Sequence, residues 1–470
     1  MAVKMAENLM KLDWYSCDGH GHTDVQTAEI SGRKIISATE SLPPRALSLS
    51  RRQALLRVGM GAIAWATRPT TALADLVVHA KPGQRAHDTL VTVFMRGGAD
   101  GLNIVVPYGD DDYGRNRPTI GISAPRASRA LAERALDLDG FFGLHPALAP
   151  LQRLYGDGLM SFVHACGSGD GSRSHFEAMS AMERGLRDDR GSATSGWLAR
   201  HLTGTRSDHD SPLRAVAFGG VMPDSLRGAT GASTLNSLDD FRLYAPGSAN
   251  QSDGDGHLRR AFAELYGHSR DVISHAGRET LGVLNSLNAL TPADYKPENG
   301  ATYPDSELGR GLKQVALLIK GDVGLEVACL DHGGWDTHVA QTGTGGTMAL
   351  LMTDLANSLS AFARDMGAQM KRTTVVVMTE FGRRLQENSG LGTDHGRAGV
   401  MMLLGQNVVG GKVFAQWPGL KDDQLEPPGD LRVTTDYRDV LSEIVARRLH
   451  NPDLATVFPG HKPRASGFML

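Results

Sequence analysis

Cysteine is scarce in this chain, with only Cys17, Cys166 and Cys329 among 470 residues. A count this low argues against a fold that depends on a disulfide framework. Cys166 and Cys329 each end an apolar run, which predicts that they are small buried residues. A disulfide between these two remains an alternative, because both runs are predicted to be strands of one sheet.

The chain also lacks an excess of either charge. It has 49 Lys and Arg residues against 52 Asp and Glu residues, and a formal net charge of −3. This balance argues against a basic surface for nucleic acid. No apolar run reaches the roughly 18 residues of a membrane-spanning helix, so no stable membrane span is predicted. Hydrophobic residues make up 41% of the sequence, enough for one large α/β domain or two smaller ones.

The N-terminal region carries the pattern of an export signal. Arg51 and Arg52 precede the weakly apolar stretch VGMGAIAWA, and the small residues of TALA end at Ala74. An arginine pair, an apolar segment and a small-residue cleavage site predict a twin-arginine signal and a transient contact with its translocase. Residues 1–74 are therefore predicted to be an N-terminal extension plus signal peptide. Residues 75–470 are predicted to form a single periplasmic or secreted domain.

Short apolar runs alternate with helical patterns along the rest of the chain. The predicted strands are 89–95, 159–165, 213–219, 325–330, 373–379 and 400–404. The predicted helices are 145–155, 174–186, 257–287, 306–320, 348–366 and 436–449. Continuous apolar strands separated by helices predict an α/β fold with a mainly parallel sheet covered on both faces. Such sheets bind ligands at the carboxyl ends of their strands.

Residues able to bind metal ions follow several of these strands. The candidate ligands are Asp100, Asp331, Asp336, His338, Glu380 and His395. Carboxylates crowded at one sheet edge repel one another unless a cation compensates them. Oxygen and imidazole donors suit Zn, Mn, Mg or Ca, and two such ions about 4 Å apart suit displacement at phosphorus or sulfur. The pattern leaves open whether His175, His332 and Asp394 are ligands or their neighbours.

A possible nucleophile lies in the segment GSRSHF. Ser174, or alternatively Ser172, is predicted to stand at a helix N-terminus, where the helix dipole stabilises an alkoxide. Arg173 between them is suited to hold the non-bridging oxygens of a phosphate or sulfate ester.

Five segments in fixed order carry a family resemblance: MRGGADGLN, RSHFEA, GGWDTH, TEFGR and GTDHG. Together they resemble the DUF1501 family of exported bacterial proteins, which is grouped with alkaline phosphatases and sulfatases. The resemblance implies an alkaline phosphatase-like α/β/α sandwich with a two-metal site. It assigns metal ligation to Asp100, Asp331, Asp336, His338 and His395, and nucleophilic attack to Ser174. The chain departs from the superfamily at Thr379 and Glu380, where Asp-His is usual, and lacks the sulfatase signature Cys-x-Pro-Ser-Arg.

These features support two hypotheses from different classes. The first is an exported metal-dependent hydrolase or transferase acting on small-molecule or polysaccharide esters of phosphate or sulfate. Its nucleophile is Ser174, or water in a variant of the same hypothesis. The second is a non-catalytic exported binding or envelope-associated protein that retains the fold, which the altered Thr379–Glu380 position motivates.

Overall fold

The structure is a computed structural model that describes residues 88–470 apart from 206–210, 212, 230, 239–259, 267–273 and scattered positions between 275 and 293. The predicted export signal lies outside these residues, as does most of the helix predicted at 257–287. The chain divides into Met1–Arg68 and Pro69–Leu470, and all the described residues belong to the second unit. Among them, no helix is both long enough and apolar enough to cross a membrane.

One large sheet organises the described residues. Its main strands are β1 (Thr89–Met95), β5 (Met160–Gly167), β6 (Ala215–Phe218), β7 (Ala232–Leu235), β8 (Val327–His332), β9 (Thr373–Met378), β12 (Gly399–Leu404) and β13 (Lys412–Phe414), in the order β13-β5-β12-β9-β1-β8-β6-β7. The two-residue strand β14 (Thr435–Asp436) also pairs with β5. Smaller sheets contain β2 (Val105–Val106), β3 (Leu136–Asp137), β4 (Gly143–Leu144), β10 (Arg383–Glu387) and β11 (Thr393–His395).

Helices cover the sheet. In chain order they are α1 (Gly101–Ile104), α2 (Asp111–Asn116), α3 (Ala149–Gly156), α4 (His175–Glu183), α5 (Trp197–Gly204), α6 (Glu307–Lys320), α7 (Thr347–Met366), α8 (Tyr437–Arg447) and α9 (Leu454–Val457). The mixed α/β architecture with a large, mostly parallel sheet flanked by helices is an α/β/α sandwich, and it confirms the predicted fold class.

The core is built in two layers because alternate residues of each strand face opposite sides of the sheet. On β1, Val91, Val93 and Met95 pack into one cluster with residues of α3, α6 and α7. Leu90 and Phe94 pack into another with residues of α5 and α8. Burial on both faces explains why these strands read as continuous apolar runs.

The strand directions bring the predicted site residues to one edge. β1 is parallel to β8 and β9, and β12 is antiparallel to both β9 and β5. β5 therefore runs in the same direction as β9, and the carboxyl ends of β1, β5, β8 and β9 share an edge. The reversed β12 begins at that same edge, so the segment leading into it arrives there as well.

Cys166 and Cys329 are both buried and free, as predicted. Cys166 lies on β5 and Cys329 on β8, with β12, β9 and β1 between them in the sheet. The alternative of a disulfide is therefore wrong, because the two residues belong to strands that do not pair.

Two buried histidines, His145 and His164, should make the stability of the fold sensitive to acid. Burial lowers the pKa of His145 to about 4 and that of His164 to about 4. The unfolded chain binds protons at these positions below about pH 6.5, whereas the folded chain does not until about pH 4. The free energy of unfolding is therefore expected to fall as the pH drops through this window, by on the order of 3 kcal/mol per histidine.

Denaturant unfolding at several pH values between 7 and 5 measures this effect. The variants His145→Gln and His164→Gln should each flatten the pH dependence relative to the wild type. The attribution to these side chains would be wrong if both variants kept the wild-type slope.

Candidate functional site

Three donor atoms converge at the sheet edge described above. Asp336 Oδ1 lies 3.1 Å from His338 Nε2 and 3.2 Å from His395 Nε2, and the two histidine nitrogens are 2.9 Å apart. His175 Nε2 approaches the same carboxylate from another side, 3.5 Å from Asp336 Oδ2. These four residues, Asp336, His338, His395 and His175, form the donor cluster.

The local backbone brings the segment after β8 against the segment after β1. Gly97 has φ +123°, and a Cβ atom at this position would lie only 2.4 Å from the backbone nitrogen of Asp336. Glycine therefore allows the two loops to touch. The contact is fixed by a hydrogen bond from the Trp335 amide to the Arg96 carbonyl, 3.1 Å long.

The outer nitrogen of each cluster histidine faces an oxygen atom. His175 Nδ1 lies 2.8 Å from Glu380 Oε1, His395 Nδ1 lies 2.9 Å from the Arg173 carbonyl, and His338 Nδ1 lies 3.3 Å from Asp394 Oδ1. A carbonyl or carboxylate oxygen only accepts hydrogen bonds, so it favours the tautomer that carries the proton on Nδ1. All three Nε2 lone pairs then point toward Asp336. Histidines that bind metals usually have such an oxygen partner on the outer nitrogen.

The inner side of the donor cluster fits a cation. Two imidazole nitrogens 2.9 Å apart repel each other if both present lone pairs, so either a proton or a cation must lie between them. In addition, the buried His175 Nε2 has no hydrogen-bond partner among the described residues. The ligand atoms of His175, Asp336 and His395 all lie within 4.8 Å of one another. Three imidazoles and one carboxylate are a donor set typical of transition-metal sites.

Arg383 holds the carboxylate of Asp336 in place through a hydrogen bond. Its buried guanidinium donates to Asp336 Oδ1 over 2.5 Å, and also to the carbonyls of Gly98 (2.6 Å) and Thr393 (2.8 Å). Burial acts to raise the pKa of Asp336, but its contacts with the three histidines and Arg383 outweigh burial and hold that pKa far below the usual range. Asp336 is therefore an anion at any physiological pH.

His175 lies between two carboxylates. Burial acts to lower its pKa, but Asp336 and Glu380 outweigh burial and raise the pKa of His175 to about 9. Its ring also packs against Phe381, with ring centroids 4.9 Å apart. Without a cation, His175 is thus protonated at neutral pH, and a cation at Nε2 would replace that proton.

Glu380 was predicted to be a metal ligand, but its carboxylate lies outside the donor cluster and orients His175. Its side chain is fully buried, and Oε1 accepts hydrogen bonds from the Gly97 amide and from His175 Nδ1, both over 2.8 Å. Thr379 donates to Oε2 over 3.0 Å. These contacts fix the ring of His175, a residue for which the sequence left the role open.

Asp100 is not brought into the donor cluster. It is fully buried, and Arg117 binds both of its oxygens, at 2.5 and 3.0 Å. Gln341 donates to Asp100 Oδ2 over 2.6 Å, and Gln341 Oε1 accepts from Thr337 and Thr393 over 2.8 Å each. Thr337 separates Asp336 from His338, and Thr393 lies two residues before His395. Asp100 therefore anchors the two segments that carry the donors.

Asp331 also lies outside the donor cluster. It belongs to β8, is half exposed, and pairs with Arg96 over 3.0 Å. The predicted strand ended at residue 330, but β8 continues to His332, so Asp331 still follows the alternation of the sheet. The neighbouring His332 contacts Asp354 over 3.2 Å.

The predicted catalytic residues occupy the loop before α4. Ser174 is the N-cap residue of α4, but its side chain makes no capping hydrogen bond. Ser172 is exposed and donates to Asp170 Oδ1 over 2.5 Å, so its hydroxyl group is engaged. The side chain of Arg173 donates to Asp430 Oδ2 from Nε over 2.8 Å and is therefore not directed at a bound ester.

Sequence reasoning missed several residues that build this site. Arg117, Gln341 and Asp430 lie in loops without a recognisable motif, and only their contacts reveal them. Arg383 carried a signal, since it belongs to TEFGR, but that motif does not identify Asp336 as its partner.

Comparisons with known proteins identify a family and include a distantly similar solved structure. A crystal structure of Ps i-CgsB in complex with k-i-k-neocarrahexaose is similar at a TM-score of 0.33 and 9% identity, over 82% of this chain and 76% of that one. No curated protein sequence matches the chain. The family model described as "Protein of unknown function (DUF1501)" matches residues 87–453, which include the whole donor cluster. The chain therefore belongs to the DUF1501 family.

Proposed function

We propose that the chain is an exported metal-dependent hydrolase or transferase of phosphate or sulfate esters. The observation that carries this proposal is the convergence of Asp336, His338 and His395 donor atoms within 3.2 Å of one another, with His175 beside them. Export is part of the proposal and follows from the twin-arginine pattern at Arg51 and Arg52.

One ion is proposed in place of the two that the family resemblance implies. Asp100 and Asp331 are paired with arginines, and within the described part of the chain the donors form one group. Imidazole nitrogens suit Zn, Mn or Fe, whereas Mg and Ca prefer sites made of oxygen ligands. The proposed ligands are therefore Asp336, His338, His395 and His175.

A divalent cation at this site would polarise the ester and offset the negative charge that develops during displacement. Ser174 is the proposed nucleophile, because its hydroxyl group is not used as a helix cap and stands at the N-terminus of a nine-residue helix. Its oxygen would form a bond to phosphorus or sulfur while the bond to the leaving oxygen breaks, and the serine proton would pass to that oxygen so that it leaves as an alcohol. Water would then release phosphate or sulfate and regenerate the serine. Glu380 would hold His175 in its binding orientation throughout.

The variant Ser174→Ala tests the role of the serine. It is expected to keep the wild-type metal content and to lose at least about a hundredfold in kcat, because it removes the nucleophile and leaves the ligands in place. Turnover of an aryl phosphate and aryl sulfate panel would be measured beside elemental analysis. Ser172→Ala is the matched control and should retain activity. Wild-type turnover by Ser174→Ala would exclude Ser174 as the nucleophile, and activity in Ser172→Ala as well would then favour water.

A second candidate function rests on Arg383. Its 2.5 Å contact neutralises Asp336, so the carboxylate has a cationic partner without any metal. This arrangement suits a non-catalytic exported binding protein that retains the fold. Metal-dependent hydrolysis of any ester in the panel would exclude that alternative.

A further inference from the structure

Three arginines, Arg173, Arg384 and Arg397, surround Asp430 near the donor cluster. Asp430 is fully buried, and its Oδ2 accepts hydrogen bonds from Arg173. Its other oxygen, Oδ1, has no hydrogen-bond partner among the described residues and lies 3.9 Å from Arg384 Nε. Asp430 therefore forms hydrogen bonds with Arg173 and only a long ion pair with Arg384.

Arg384 has spare hydrogen-bonding capacity. Its side chain is 36% exposed, and its buried Nε has no hydrogen-bond partner among the described residues. Among the described residues, the guanidinium of Arg384 forms an ion pair with Asp430, and that contact is 3.9 Å long. A guanidinium offers five donors in a planar fork that matches the oxygens of phosphate, sulfate or carboxylate.

Arg397 adds to the positive charge nearby. It pairs with Glu426 over 3.4 Å and donates to the Ser168 carbonyl over 3.5 Å, both long contacts. Burial raises the pKa of Asp430 even though Arg173, Arg384 and Arg397 act to lower it. Arg173, Arg384 and Arg397 thus all lie close enough to Asp430 to act on its charge, and Arg384 and Arg397 make only long contacts with their own carboxylate partners.

The arginines adjoin the donor cluster at His395. The carbonyl of Arg173 accepts a hydrogen bond from His395 Nδ1 over 2.9 Å. Arg384 directly follows Arg383 on β10, and Arg383 is the register partner of His395 on β11. An anion held by Arg384 would therefore lie near the strand pair that carries His395.

We propose that Arg384 and Arg397 form a subsite that binds an anionic group of the substrate next to the donor cluster. The group is a phosphate, sulfate or carboxylate, separate from the ester that is cleaved. The substrate role of this subsite rests on the proposed function, and it implies a polyanionic substrate such as a compound bearing several sulfate or phosphate groups.

Binding of inorganic sulfate tests the subsite directly. Isothermal titration calorimetry would be done on the full chain as purified and again after chelator treatment, so that a metal ion contributes nothing to the second titration. The wild type is expected to bind sulfate in both states, and Arg384→Ala to bind it at least about tenfold more weakly. Arg310→Ala, an exposed arginine paired with Asp305, is the matched control and should bind as the wild type does.

Arg384→Lys is a second variant, which keeps the positive charge but lacks the planar, multidentate guanidinium group. We expect it to bind sulfate with intermediate affinity. Equal sulfate affinity in the wild type and Arg384→Ala would overturn the inference, as would no saturable binding to chelated wild type. Both outcomes leave the proposed ester hydrolysis untouched. Sulfate binding that depends on Arg384, in a protein that hydrolyses no ester, would support the subsite and reject the proposed function.

Discussion

Asp336→Asn is expected to abolish metal binding. Asp336 supplies the oxygen around which His338 and His395 converge, and asparagine removes its charge while keeping its shape. Loss of a hydrogen-bond partner behind a metal ligand typically costs 10–100-fold in affinity, so loss of the ligand itself should cost more than about a hundredfold. Elemental mass spectrometry of purified protein, after reconstitution with Zn, Mn or Fe, measures the result. Hydrolysis of esters should disappear together with the metal.

Asp331→Asn is the matched control for this experiment. Asp331 has the same side chain, lies five residues earlier and is similarly exposed, at 52% against 43% for Asp336. It pairs with Arg96 outside the donor cluster, so the variant is expected to keep the wild-type metal content. Equal metal content in Asp336→Asn and the wild type would contradict the proposed site. So would a wild type that binds no metal after reconstitution.

Arg117→Met is expected to destabilise the fold by about 3–5 kcal/mol. Arg117 and Asp100 form an ion pair with both side chains fully buried, and Arg117 also donates to the carbonyls of Arg384 and Leu385 over 2.8 Å each. Removal of one partner leaves the other as an uncompensated buried charge. Denaturant unfolding, followed by circular dichroism, measures the free-energy difference.

Arg115→Met separates the buried pair from a general effect of losing an arginine. Arg115 is 66% exposed and pairs with Asp112 at the surface, so its replacement should cost less than about 1 kcal/mol. The double variant Asp100→Asn/Arg117→Met should be more stable than Arg117→Met alone, because no buried charge remains. If Arg117→Met were as stable as Arg115→Met, the anchoring role of Asp100 would be wrong.

The sequence predicted six strands of the large sheet because they are largely buried on both faces, whereas it missed β7 and β13, which are only partly buried. The predicted 89–95 coincides with β1, and 373–379 differs from β9 by one residue. Helix α6 follows Ser306, whose side chain accepts from the Gly309 amide over 3.0 Å as a capping residue does. Such features depend on local composition, which a single sequence displays directly.

The donor residues were also readable from the sequence, within limits. Asp336, His338 and His395 follow predicted strands or precede one, and the structure places them together. The same rule selected Asp100 and Asp331, which lie elsewhere. Asp100 is held by Arg117 and Asp331 by Arg96, and no sequence motif predicts either pairing.

The sequence by itself determined the α/β class, the most buried strands, the family and most of the donors, because these depend on local apolar runs and short motifs. Tertiary structure alone decided the antiparallel direction of β12, which brings His395 to the edge where β8 ends. It also decided which charges are paired, since Asp100 meets Arg117 while Asp336 meets three histidines and Arg383. A carboxylate becomes an anchor or a ligand according to the charges that folding places around it, and those charges come from distant parts of the chain.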